Sequence, residues 1–216
     1  MGRYQRNDLK YWNDIYNDEW EFWKYVIELG GSNWCGHAES FTFSKKDRCI
    51  TLDFLEDGFT IDDIIGLCTE NNDSKTKHGC SIKGMGSKLA ICKMHAPGSE
   101  CIIQSYNKDC GHFLFKYTQN NYDDSEFGSE YIIDEPTIEI FSSNFELINK
   151  MLIKKNYQDI ICNDFPESAE KLLNPSSKFT INYKKDILDE DILDLKQNIK
   201  ISEQLQLFNQ KINNYI

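Results

Sequence analysis

Asp53-Phe-Leu-Glu56-Asp57-Gly58-Phe-Thr60-Ile-Asp62-Asp63-Ile64-Ile65 and, after a polar interval, Lys83-Gly84-Met85-Gly86-Ser87-Lys88-Leu-Ala90 are the stretches on which the reading of this chain turns. The first leaves a strand: residues 49–55 alternate apolar and polar side chains, and Asp57-Gly58 is a turn. A helix is expected from Thr60 or Asp62, because Thr60 with Asp63 three residues on has the pattern of a capping box before an apolar run. Residues 69–80 are polar and read as a lid-like loop, after which Gly84 and Gly86 open a second helix to about Met94. Two glycine turns that each lead into a helix offer backbone N–H groups to an anion. Lys83 and Lys88 would balance its charge, and the alternative is a pair of tight turns with close helix packing. A P-loop is excluded, since Gly79 and Gly84 have the spacing but Met85 stands where lysine is required.

Upstream, residues 11–29 read as an amphipathic helix, with Trp12, Ile15, Tyr16, Trp20, Trp23, Val26 and Ile27 at helical spacing. Gly30-Gly31 is expected to end or loosen it, leaving Glu28 near its last turn. Downstream, strands are expected at 101–106, 112–117, 131–133 and 137–141, with a hairpin turn at 108–111. Short helices follow at 144–156 and 166–173, the second beginning at Pro166. Helices and glycine turns followed by antiparallel strands predict an α/β two-layer sandwich with helices on one face of a mostly antiparallel mixed sheet. One domain over residues 1–185 is expected, with a helical extension over 186–216. In that extension Leu188, Ile192, Leu195 and Ile199 are spaced four, three, four; Leu205, Phe208, Ile212 and Tyr215 resume after a phase change at Ser202. This stripe suits a partner helix or packing back on the domain.

A net charge of -11 on 216 residues argues against a general nucleic-acid surface, which needs a basic stripe. No apolar run approaches a membrane span, and the first residues lack the apolar core of a signal peptide, so an intracellular protein is expected. The eight cysteines show no C-x-x-C pair and are read as free thiols. Cys35-Gly-His37 and Cys110-Gly-His112 raise structural zinc as a distant alternative, at a spacing unlike that of zinc fingers.

A helix bearing Glu28, a strand ending in Glu56-Asp57-Gly58, a polar lid and Gly84-Met-Gly-Ser-Lys-Leu-Ala90 together resemble the GHKL ATPase superfamily. That superfamily comprises gyrase B, MutL, histidine kinases and the ninety-kilodalton heat-shock chaperones. The likeness is greatest to MORC-type domains, whose third motif ends in Gly-x-Gly-x-Lys, and it covers roughly residues 16–115. It implies a Bergerat-type ATP-binding fold with ATP and Mg2+. On that likeness Glu28 matches the general base that activates the attacking water. Glu56 falls where the family has the adenine-binding Asp, and Gly58 matches a glycine of that motif, with Thr60 in place of its second glycine. Gly84, Gly86 and Lys88 match the phosphate cradle, Met85 and Ser87 adding backbone donors. The magnesium-holding Asn of the family, four residues after the base, is here Ser32, with Asn33 beside it. These departures imply slow or partner-dependent hydrolysis, with ATP-dependent homodimerisation or a partner protein engaged through the C-terminal helix. The alternative is a non-catalytic relative that serves as an interaction scaffold.

Overall fold

The computed structural model describes residues 21–34, 40–68, 90–91, 94–96, 98–118, 137–154 and 162–213. In chain order they form α1 (Phe22–Trp34), β1 (Ser40–Lys46), β2 (Cys49–Leu55), α2 (Ile61–Cys68), β3 (Glu100–Asn107), β4 (Gly111–Thr118), β5 (Thr137–Ser142), α3 (Phe145–Lys154), β6 (Cys162–Asp164), β7 (Ser176–Asn182) and α4 (Asp189–Asn213). The strands make a mixed sheet in the order β1-β2-β7-β3-β4-β5-β6. Every neighbouring pair is antiparallel except β5 and β6, which α3 connects. No described helix is long and apolar enough to cross a membrane.

Period-two alternation decides which face of each strand is covered. Ile50, Leu52 and Phe54 of β2, Phe179 and Ile181 of β7, Cys101 and Ile103 of β3, and Phe113, Phe115 and Tyr117 of β4 form one buried layer. The helices close over it through Val26 and Leu29 of α1, Ile64 and Ile65 of α2, Ile148 and Leu152 of α3 and Leu195 of α4. Each such side chain contributes roughly 1.5–3 kcal/mol when fully buried. Leu195 is fully buried, with Ile192 and Ile199 packed beside it and α4 lying on α1, so the C-terminal helix rests on the domain at this end. Leu188, grouped with these residues by spacing, is instead exposed; it caps the helix, its N–H donating to Asp191 Oδ2 at 2.8 Å. The helix runs unbroken across Ser202.

Gly30-Gly31 does not end α1, which continues to Trp34. The two glycines cost about 1 kcal/mol each, less than the burial of Phe22, Tyr25, Val26 and Leu29 returns. Among the described side chains of α1 these four are the most buried, and Trp23 and Ile27 sit at the margin of the core. Residues 166–173 form no helix. A single turn closes from Ala169 N–H to the Pro166 carbonyl at 3.1 Å. The segment then crosses the outer face of the sheet, where the Glu170 carbonyl accepts from Gln104 Nε2 at 2.9 Å and the Leu172 carbonyl meets His112 Nε2 at 3.0 Å. Those carbonyls bond to the sheet, so they are not turned into a helical ladder.

The strands expected at 101–106, 112–117 and 137–141 are present as β3, β4 and β5, and residues 108–110 turn between the first two. α3 buries Ile148 and Leu152 with Phe145 and Met151 beside them, the face its spacing predicts. Three strands fall outside the sequence expectation. β1 and β7 carry a legible alternation, Phe41 and Phe43 in one and Phe179 and Ile181 in the other, whereas β6 is too short to carry a pattern. The expected strand at 131–133 lies outside the described residues.

Candidate functional site

β2 delivers its chain end to residues 56–60, and this loop is held by the far end of β3. Gly58 is in the left-handed region at φ 76°, and a Cβ there would overlap the Tyr106 carbonyl. Only glycine meets both demands at once. Phe59 N–H donates to Ser105 Oγ at 2.6 Å, and the Phe59 ring enters the core between Phe113 and Phe179, at 6.1 and 6.2 Å. Asn107, itself buried, donates from Nδ2 to the Asp57 carbonyl at 2.9 Å. Its Oδ1 accepts from the N–H groups of Asp109 and Cys110, so one side chain ties the loop to the β3–β4 turn.

Thr60 caps α2. Its N–H and hydroxyl both donate to Asp63 Oδ2, at 2.9 and 2.7 Å, and Asp63 N–H returns to Thr60 Oγ1 at 3.3 Å. That is the capping box the sequence predicts, and it occupies the Thr60 hydroxyl. Glu56 is half-buried, with Oε1 shielded from solvent. Asp57 is exposed one residue on.

Asp63 of α2 and Asp109 of the β3–β4 turn both lie close enough to Cys110 to act on its thiol. Burial raises its pKa, the Ile61 N–H opposes the shift, and the Asp109 and Asp63 carboxylates raise it further.

Positions 28 and 32 lie one turn apart in α1, on one face, because the helix passes through both glycines. Asn33 lies about 100° around the helix from Ser32, so it does not share that face. The side chains of Glu28 and Ser32, and the whole of Gly84, Met85, Gly86, Ser87 and Lys88, lie outside the described residues, as does the approach of that turn to residues 56–60. Ala90, Ile91 and Met94 are helical and buried, in keeping with a helix that follows the second glycine turn.

Cys110 and His112 do not make a ligand pair. The thiol lies beside the start of α2, whereas the imidazole stacks on Tyr106 at 4.3 Å and reaches the Leu172 carbonyl. Among the described residues no group of three potential metal ligands is found.

Sequence reasoning reached Gly58, Thr60 and Asp63 from local pattern, and Glu56 only through the resemblance. It did not reach Ser105 and Asn107, which carry no motif and act on the loop from nearly 50 residues away. No family model matches the chain, and no curated protein matches it.

Proposed function

We propose that this chain is a GHKL-type ATP-binding domain of the Bergerat kind, a nucleotide-dependent conformational or dimerisation switch with slow or partner-dependent hydrolysis. The observation that carries the reading is the Glu56–Thr60 turn: a half-buried carboxylate at a strand end, a left-handed glycine and a capped helix in succession. Glu56 would accept the amino group of adenine, where a charged hydrogen bond is worth about 1.5–3 kcal/mol. Gly84, Met85, Gly86 and Ser87 would supply backbone N–H groups to the phosphates, and Lys88 a positive charge. Ser32 would offer a hydroxyl toward magnesium, which when bound neutralises phosphate charge. Glu28 would take the proton of the attacking water. Thiols that are free at Cys49, Cys101, Cys110 and Cys162 suit an intracellular setting.

Titration with a fluorescent ATP analogue tests binding. The wild type should give a saturable signal that Glu56→Ala and Gly84→Val weaken at least tenfold, and equal signals from all three would end the reading. Glu28→Ala should stop phosphate release and leave binding intact. Release that survives the substitution removes Glu28 from the role.

A second reading, a non-catalytic scaffold on the same fold, is favoured by the structural work already assigned to Gly58 and Thr60. Exposed Leu193 and Ile201 on α4 add apolar surface to it. Sedimentation separates the two: association that ignores ATP supports the scaffold, and association that requires ATP supports the switch.

A further inference from the structure

His95 has no part in the site above, yet it is buried to 1% exposure where the helix ending at Met94 meets the sheet. Two backbone bonds pin this junction to the end of β7: Ala96 N–H donates to the Asn182 carbonyl at 2.7 Å, and Lys184 N–H to the Met94 carbonyl at 2.9 Å. Between them His95 forms a β-bridge with Tyr183. The imidazole lies edge-on to Tyr117 with ring centroids 5.3 Å apart.

The hydrogen bonds identify the tautomer. Ser99 Oγ donates to the Ala96 carbonyl at 2.6 Å, which commits its proton. Its lone pairs therefore face His95 Nδ1, 3.5 Å away, and Nδ1 carries the ring hydrogen. Nε2 is then a bare, buried nitrogen with no partner among the described residues. A proton arriving there would create a charged N–H in a buried site with no acceptor among the described residues. Burial accordingly lowers the pKa of His95, against a smaller opposing effect from Ser99.

The titratable and charged groups on the surrounding elements do not relieve that charge. Tyr117 on β4 and Tyr183 after β7 are buried phenols. Lys184 and Lys185 are exposed and of the same sign, and Glu100 at the start of β3 is exposed and pairs with Lys116 at 3.7 Å. Among the described residues no carboxylate pairs with the ring.

We infer that His95 is an acid-sensitive latch: protonation of its ring in mildly acidic solution releases residues 94–96 from residues 182–184, while the sheet stays intact. The released junction joins the helical residues 90–91 and 94 to β3, so the device governs how firmly they are anchored to the end of β7. It holds whether or not the chain binds nucleotide.

The sign follows from linkage. The neutral ring is favoured in the folded protein, so the latch is fully closed above the ordinary histidine value of 6.5 and weakens as pH falls below it, until the lowered native value is passed. Within that window each pH unit opens the junction by up to about tenfold.

Amide hydrogen exchange on the whole chain, corrected for intrinsic rates, tests this at pH 7.5 and 5.5. Protection at Ala96 and Lys184 should fall by up to about tenfold at the lower pH, with β3–β4 amides unchanged. In His95→Gln, which keeps His112 but cannot take a ring proton, that pH dependence should vanish. Equal protection at both pH values in the wild type overturns the proposal, as does a dependence that persists in the variant. Should the variant not fold, the wild-type ring resonances decide: His95 must titrate below 6.5, at the pH where the loss of protection levels off, and titration at 6.5 or above refutes the latch.

Discussion

Asn107 holds Asp57 by its backbone. The amide Nδ2 donates to the Asp57 carbonyl at 2.9 Å, and the same side chain accepts two N–H groups of the β3–β4 turn through Oδ1. The loop after β2 and the turn after β3 therefore share one buried amide, and neither keeps its conformation independently of the other.

Asn107→Ala should cost about 2 kcal/mol, because it strands buried backbone groups along with removing hydrogen bonds. Asn107→Asp should be at least as costly, since it keeps the acceptor but turns a carboxylate oxygen toward the Asp57 and Gly58 carbonyls. Urea midpoints measure both. An unchanged midpoint in Asn107→Ala would show that water replaces the amide without loss.

Gly58 and Gly98 make a matched pair. Both are left-handed, at φ 76° and 75°, but a Cβ at 58 meets the Tyr106 carbonyl whereas one at 98 meets nothing. Gly98→Ala should therefore cost only the conformational term, about 1 kcal/mol. Gly58→Ala adds overpacking against backbone and should exceed it by about 1–3 kcal/mol. Thermal unfolding of the two variants side by side isolates the contact, and equal shifts would mean that β3 moves aside.

Thr60→Ala and Asp63→Ala should each lower stability by about 1 kcal/mol, as the loss of a helix cap does. The double variant should lose less than the sum, because either change breaks the same reciprocal bonds. Strict additivity in denaturant unfolding would show that the box contributes nothing as a unit.

Burial pushes the Cys162 thiol up to about 11. At pH 8 it holds about a hundredfold less thiolate than an ordinary thiol near 9, and it is almost wholly enclosed. Iodoacetamide should label half-buried Cys49 well before Cys162, as read by peptide mass spectrometry. The sign for stability is the reverse of the histidine case. The contribution of Cys162 is complete below the unfolded value near 9 and is lost as pH climbs toward 11. Comparable labelling rates for the two thiols in the folded protein would contradict the burial.

Local pattern carried further at the turns than along the helices. Thr60 and Asp63 are three residues apart and bond to each other, so their spacing alone stated the contact. Glycine at 58 followed from the turn, though the reason it must be glycine, the Tyr106 carbonyl, sits on another strand. Gly30-Gly31 misled because propensity reports what a helix costs in isolation, while α1 is stabilised by the core it covers. Pro166 suited a helix start equally well, but the carbonyls that follow it are taken by Gln104 and His112.

The sequence by itself determined the alternation of β2, β3, β4 and β5, the cap of α2, the turn at Gly58 and the apolar face of α3. Each rests on neighbours within a few residues, where periodicity and turn chemistry act directly. Only the tertiary structure decided that β7, which starts more than 120 residues after β2 begins, lies between β2 and β3. It alone sealed His95 without a partner for Nε2 among the described residues and made Asn107 the anchor of the loop at Asp57. Pairing at that separation is set by which apolar faces can be buried together, a property of the whole chain that no short window contains.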